Sequence, residues 1–245
     1  MQGWKKFILY FLLFTAAFFI IDIGRFFIYP NVASLKKYCP VKTAFMEYRE
    51  EAWKKKKIKR VIASDWVSFS QISPYVIKAV IIAEDNTFWS HEGFDFNAIG
   101  KALQKDIVKG KFQAGGSTIS QQLAKNLYLS PAKVPSRKIK EAILTWRIER
   151  QLSKRRIIEL YLNVAEWGDG IFGIELAAQK YFGKPAANLT AREAATLAVI
   201  LPNPRRYNPD GSSRYVEAQA DRVYQIMVRQ GIVIQEYDDV IMSND

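Results

Sequence analysis

The sequence predicts a mainly α-helical domain held behind one transmembrane helix. Fifteen uncharged residues run from Phe7 to Ile21, apolar rows recur at helical spacing from Ser73 onward, and no sustained period-two pattern or internal repeat interrupts them. The 245 residues are 49% hydrophobic with 13 Gly and 9 Pro, which excludes a disordered or fibrous chain and allows one domain of roughly 200 residues behind a targeting segment. A single cysteine, Cys39, rules out an intrachain disulfide. A single histidine, His91, rules out a His-rich or Cys-rich zinc site, so any metal would be bound by oxygen.

The first element is the anchor. Extended through Asp22 and Arg25 to Tyr29, the apolar run reaches 23 residues, and about 20 suffice to cross a hydrocarbon core of about 30 Å. Asp22 and Arg25 would then snorkel at the far interface. Lys5 and Lys6 ahead of the run predict a cytoplasmic N-terminus and an exported domain, although Lys54–Lys57 on the other side pull against that orientation. A cleaved signal peptide is the competing reading, but no convincing small-residue cleavage site follows. Residues 1–30 are therefore read as the anchor, 31–70 as a basic connector leading into the domain, 71–232 as the domain proper and 233–245 as an acidic tail.

Charge narrows the ligand class. The chain carries 36 Lys plus Arg against 24 Asp plus Glu, a net +12, and residues 101–156 hold 14 of the basic groups with only 3 acidic ones. Such a block suits nucleic acid, an anionic membrane surface or a phosphate-bearing substrate, and export makes nucleic acid the poorest of the three.

Ser73-Pro74 is an N-cap followed by proline at the first helical position, and Val76, Ile77, Val80 and Ile81 supply the apolar row of the helix. Glu84 continues that row, seven residues after Ile77 and four after Val80, so its carboxylate emerges from the buried face. Desolvation should raise its pKa, as a general base or acid requires; a structural ion pair would explain the same placement. His91, in a polar turn, reads more readily as a hydrogen-bonded turn residue than as a catalyst.

Gly115-Gly116 then leads to Ser117 or Thr118 as the cap of a helix with Ile119, Leu123 and Leu127 on one face. Thr118, Gln122 and Lys125 lie on another. A helix N-terminus with free N–H groups, a hydroxyl, an amide and an ammonium forms a diphosphate or sugar cradle; an ordinary glycine hinge before a solvated face is the alternative. A third helix opens at Ser136 and runs through Leu152. Glu141 stands four residues after Arg137 and on the face of Leu144 and Ile148, with Lys138 and Lys140 to hold it ionised. Two carboxylates in contrasting environments are a pattern for divided roles, and a helix salt bridge worth about 0.3–0.5 kcal/mol is the plainer account. Farther on, Thr190-x-x-Glu193 is a capping box, Gly183 suits a helix C-terminus, Pro202 ends a helix, and a last helix reaches about Gln230.

These residues fall in an order that resembles the peptidoglycan glycosyltransferase family, the transglycosylases related to penicillin-binding proteins. Ala83-Glu84-Asp85 with Phe88, His91, Gly93, Phe94 and Asp95 resembles its first motif. Gly115-Gly116-Ser117-Thr118-Ile119-Ser120-Gln121-Gln122 with Lys125-Asn126 resembles the second, with Ser120 where the family usually has Thr, and Arg137-Lys138 with Glu141 the third. Glu159-Leu-Tyr-Leu-Asn163 with Gly168, Gly170 and Gly173, and Glu193-Ala-Ala with Leu201-Pro202 and Tyr207-Asn-Pro209, resemble the last two. Together they cover about residues 70–210.

The resemblance implies a mainly α, lysozyme-like large lobe with a smaller membrane-associated lobe, and polymerisation of lipid II into linear glycan strands with inversion and release of undecaprenyl diphosphate. By the same resemblance Glu84 is the catalytic base, and Glu141 lies by the diphosphate with Lys125, Arg137 and Lys138. Asp85, Phe88 and His91 would shape the cleft. Ser117, Thr118, Gln121, Gln122 and Asn126 would contact substrate. No cofactor is required by the sequence, although a divalent cation (Mg or Mn) held at the diphosphate through Glu141 is compatible with it. The implied partners are lipid II, the growing strand, membrane lipids, transpeptidases and other wall-synthesis or division proteins, with no nucleic acid. The implied place is the outer or periplasmic face of the bacterial cytoplasmic membrane. Ser34-Leu-Lys-Lys37 fits a transpeptidase S-x-x-K only by accident, since no S-x-N or K-T-G elements follow, so the enzyme reads as monofunctional. A lysozyme-like hydrolase, a lytic transglycosylase and a silent scaffold are the rivals.

Overall fold

The structure, a computed structural model, describes residues 2–109, 116–131, 134–209 and 213–233. Gly115 and the acidic tail beyond Val233 lie outside the described residues. Helix α1 (Gln2–Gly24) is apolar and almost wholly exposed. At 1.5 Å per residue its 23 residues measure about 34 Å, long enough to cross a membrane. Asp22 and Arg25 stand at its end as an ion pair of 3.0 Å.

The stretch that reads as a connector is packed into the fold. Asn31 caps a 3-10 turn over Val32–Lys36 that buries Val32 and Leu35, and Thr43 caps α2 (Ala44–Lys55), which buries Met46 and Trp53. Each piece buries only two apolar side chains, too few to print a period on the sequence. Lys54 to Lys57 remain exposed.

The body is helical, as expected. Ser73 accepts a hydrogen bond from the Tyr75 amide at the start of α3 (Pro74–Glu84), and Val76, Ile77, Val80 and Ile81 are buried. Next come α4 (Phe96–Lys109), α5 (Ile119–Tyr128), α6 (Pro135–Gln151) and α7 (Lys154–Val164). A short antiparallel hairpin, absent from the sequence expectations, pairs β1 (Glu166–Gly168) with β2 (Ile171–Phe172). The chain then forms α8 (Ile174–Phe182), closed by Gly183 at φ +66°, α9 (Ala191–Ile200), opened by the Thr190–Glu193 capping box, and α10 (Arg214–Arg229).

Helix α3 packs on α9 and α9 on α10, while α5 packs against α6 and α7. One continuous apolar core joins the two groups. The end of α3 therefore meets the start of α5, and that junction holds the candidate site.

The hairpin turn depends on Gly170. Its φ is +78°, and a Cβ there would lie 2.4 Å from the Trp53 ring, which is buried against it. Gly170→Ala is expected to destabilise the fold by about 1–3 kcal/mol, through backbone strain and overlap with the indole. Thermal unfolding of the purified variant measures this directly, as a melting temperature several degrees below wild type.

Candidate active site

Glu84 is the last residue of α3 and is half-buried. It lines a cleft of about 420 Å³ together with Asp85, Thr87, Asp95, Lys101 and Ser117. Burial pushes its carboxyl above the ordinary 4.5. The Gln122 amide and the Lys125 charge oppose that rise, and the nearby Asp85 charge adds to it. The Gln122 side-chain N–H donates to Glu84 at 2.5 Å, and the Gln122 carbonyl accepts from the Tyr161 hydroxyl at 3.1 Å. Tyr161, buried on α7, has its phenol held well above 10 by burial and by the two carboxylates, so it remains a donor. Gln122 is thereby locked with its N–H toward Glu84.

Asp85 turns inward. Its buried carboxylate accepts from the Ile119 amide at 2.9 Å and meets His91 Nε2 at 2.9 and 3.0 Å. His91 Nδ1 accepts from the Gly93 amide at 3.0 Å, so the neutral ring carries its proton on Nε2 and donates it to Asp85. Phe88 is fully buried, packed edge-on against Trp89 and His91 with the Lys154 ammonium 4.6 Å over its ring. Asp85 borders the cleft. Phe88 and His91 support its wall from behind.

The start of α5 corrects one expectation. Thr118 and Gln121 form a reciprocal capping box, and the Thr118 hydroxyl also donates to the Gly93 carbonyl at 2.7 Å. With the Ile119 amide on Asp85 and the Gln121 amide on Thr118, this helix N-terminus is filled by the protein's own side chains. It is not an open cradle for an anion, and Thr118 and Gln121 are committed to the cap. Thr118 still borders the first cleft beside the exposed Ser117, and Gln122, Lys125 and Asn126 face a ligand farther along α5.

Gln122, Lys125, Asn126 and Tyr161 line a second cleft of about 200 Å³ together with Arg49, Glu166 and Arg205. Gln122 lines this second cleft, and its partner Glu84 lines the first. Lys125 is the electrostatic centre of the site. Burial lowers its pKa from 10.5, both Glu141 and Glu84 resist that fall, and Arg137 and Lys138 add to it. Glu141 is buried on α6 and pairs with Lys138 at 2.5 Å. Arg137 Nε is buried without a hydrogen-bond partner among the described residues, an N–H donor left for a ligand. Lys140, expected beside Glu141, instead pairs with Asp22 and lies 5.3 Å over the Phe26 ring.

Neither Tyr161 nor Arg49 has a chemical part that the sequence alone predicts. Tyr161 sits in the Glu159–Asn163 stretch, which carried a signal. Arg49 is a half-buried arginine held by the buried Glu166 at 2.7 Å, and its partner lies 117 residues away, so no local pattern marks it.

Among the described residues no three His, Cys, Asp or Glu side chains gather as a metal site. Glu141 is alone among cations, and Lys138 already satisfies one of its oxygens. The donor set does not fit a resident metal. What the arrangement offers is a desolvated carboxylate that takes a proton at higher pH than usual, beside three cations suited to an anionic group.

The transglycosylase family model matches residues 52–228. The biosynthetic peptidoglycan transglycosylase of Azoarcus sp. (strain BH72) is 48% identical over 208 residues, 85% of this chain and 90% of that protein. The protein of the same name from Aromatoleum aromaticum (strain DSM 19018 / LMG 30748 / EbN1) is 47% identical over 217 residues, 89% of this chain and 93% of its own length. The one from Nitrosospira multiformis (strain ATCC 25196 / NCIMB 11849 / C 71) is 44% identical over 206 residues, 84% and 88% of the two chains.

Proposed function

Because the chain belongs to the transglycosylase family, we propose that it polymerises lipid II into linear glycan strands for the bacterial cell wall, with Glu84 as the base. The Glu84 carboxylate takes the proton of the acceptor sugar's 4-hydroxyl as that oxygen attacks the anomeric carbon of the growing strand. The anomeric carbon–oxygen bond breaks on the opposite face, and undecaprenyl diphosphate departs with the electron pair. Lys125, Arg137 and Lys138 neutralise the charge that develops on the diphosphate, and Glu141 keeps those cations in place. The observation that carries this reading is Lys125, half-buried between two carboxylates with opposite tasks.

Lys5 and Lys6, in α1 just ahead of its uncharged run, support a cytoplasmic N-terminus and a catalytic domain on the outer face. Peptide crosslinking would fall to transpeptidases working alongside it. The test is detergent-purified full-length protein with labelled lipid II. A long product that lysozyme digests supports glycan polymerisation. Disaccharide fragments cut from preformed glycan would favour a hydrolase instead, and no turnover where a characterised relative is active would favour a scaffold.

The acid side of the rate profile reads the base. The rate should rise with pH as Glu84 ionises, at a value above the ordinary 4.5. Gln122→Ala removes a hydrogen bond that favours the ionised form, so the acid limb is expected to move to still higher pH, measured as initial rate against pH. A limb that stays in place or moves down would argue against the Gln122–Glu84 contact.

A further inference from the structure

The anchor is joined to the body by more than the chain. Asp22, the only acidic residue in the first 46, accepts from Arg25 and from Lys140 of α6, and the Asp22 and Lys140 side chains are only 21% and 15% exposed. Phe26, the next turn, is buried in the core under the Lys140 ammonium. Farther along α6, the buried Arg147 donates to three carbonyls of one short stretch, Phe26 at 2.9 Å and Ile28 and Pro30 at 2.8 Å each. The neighbouring Trp146 meets Phe27 edge to face at 6.3 Å.

A flexible tether would leave those carbonyls to water. Here Asp22 to Pro30 is clamped along α6 from Lys140 to Arg147. The helix so clamped is the one that carries Arg137, Lys138 and Glu141. Lys140 adjoins Glu141 and stands three residues from Arg137, about 4.5 Å along the axis. The cationic end of the site therefore lies within one turn of the level at which the apolar helix ends.

We infer that Asp22, Lys140 and Arg147 form a fixed linkage that holds Arg137, Lys138 and Glu141 at the membrane surface, where the diphosphate of a lipid-borne substrate lies. The anchor is then a positioning element for substrate, in addition to raising its local concentration. This rests on the function proposed above.

The test uses full-length protein in vesicles of phosphatidylethanolamine and phosphatidylglycerol carrying lipid II. Lys140→Asp and Asp22→Lys should each raise KM about tenfold with kcat within about twofold, since they disturb placement rather than chemistry. The double exchange, Asp22→Lys with Lys140→Asp, should restore KM. Arg147→Met should raise KM in the same way, with its melting temperature measured beside it. The exposed Cys39, the chain's single cysteine, takes a fluorophore whose quenching by headgroup-labelled lipid should shift in the single variants and return in the double. Single variants with wild-type KM and quenching, or a double exchange no better than the singles, would overturn the linkage. Wild-type protein that makes no polymer in the same vesicles would overturn the function instead.

Discussion

Glu84→Gln is expected to lower lipid II polymerisation by about 10³-fold, within the usual range for loss of a general base. The amide keeps the size and most of the contacts of the carboxylate, including a hydrogen bond with Gln122, but it cannot take the acceptor's proton. The fold should not suffer. Burial makes the ionised Glu84 unfavourable, as its raised pKa records. A raised folded-state pKa means that the group's contribution to stability is fully present below the unfolded value and is lost as pH rises through the folded one. At neutral pH the ionised carboxylate is thus a cost to the folded state, and the neutral amide removes it. The variant should melt no lower than wild type, and slightly higher at neutral pH. Activity lost together with melting temperature would assign Glu84 a structural role.

Glu141→Gln is expected to cost about 10²-fold in kcat, comparable to removing one preorganised charge-stabilising group elsewhere. Two effects combine. Lys138, exposed over most of its length, loses the buried carboxylate that fixes its ammonium. Lys125 loses the stronger of the two carboxylates that resist the lowering of its pKa by burial. That pKa should therefore fall further, and the alkaline limb of the rate profile should move to lower pH. A variant with normal kcat and an unmoved alkaline limb would remove Glu141 from the reaction. Separate kcat and KM values with a pH series distinguish these results.

What the sequence revealed was local. Ser73-Pro74 set the phase of α3, and the row from Val76 to Ile81 then placed Glu84 on a desolvated face. The caps at Thr118, Thr190 and Gly183 follow equally from short spacings. What it hid was distant. Lys140 is next to Glu141 in sequence, so a local pairing was the natural expectation, yet its partner is Asp22, 118 residues away. The first turn of α5 looked open because the carboxylate that fills it, Asp85, arrives from the end of another helix. Tyr161 reads as one more core aromatic until the fold brings its hydroxyl to Gln122. The segment from Val32 to Lys55 looked like a basic link because its buried residues are sparse, while its contacts are made with α5, α6 and the hairpin.

The proposed role of a desolvated Glu84 is to drive glycan polymerisation as a base. Its most direct test is the initial rate of lipid II polymerisation by the wild-type protein from about pH 5 to about pH 9, with Glu84→Gln measured in parallel. That role predicts a wild-type rate that rises through one ionisation above the ordinary carboxylate value of 4.5, and a variant that stays at background throughout. A wild-type rate independent of pH across that range, or a variant that polymerises at a comparable rate, would contradict it.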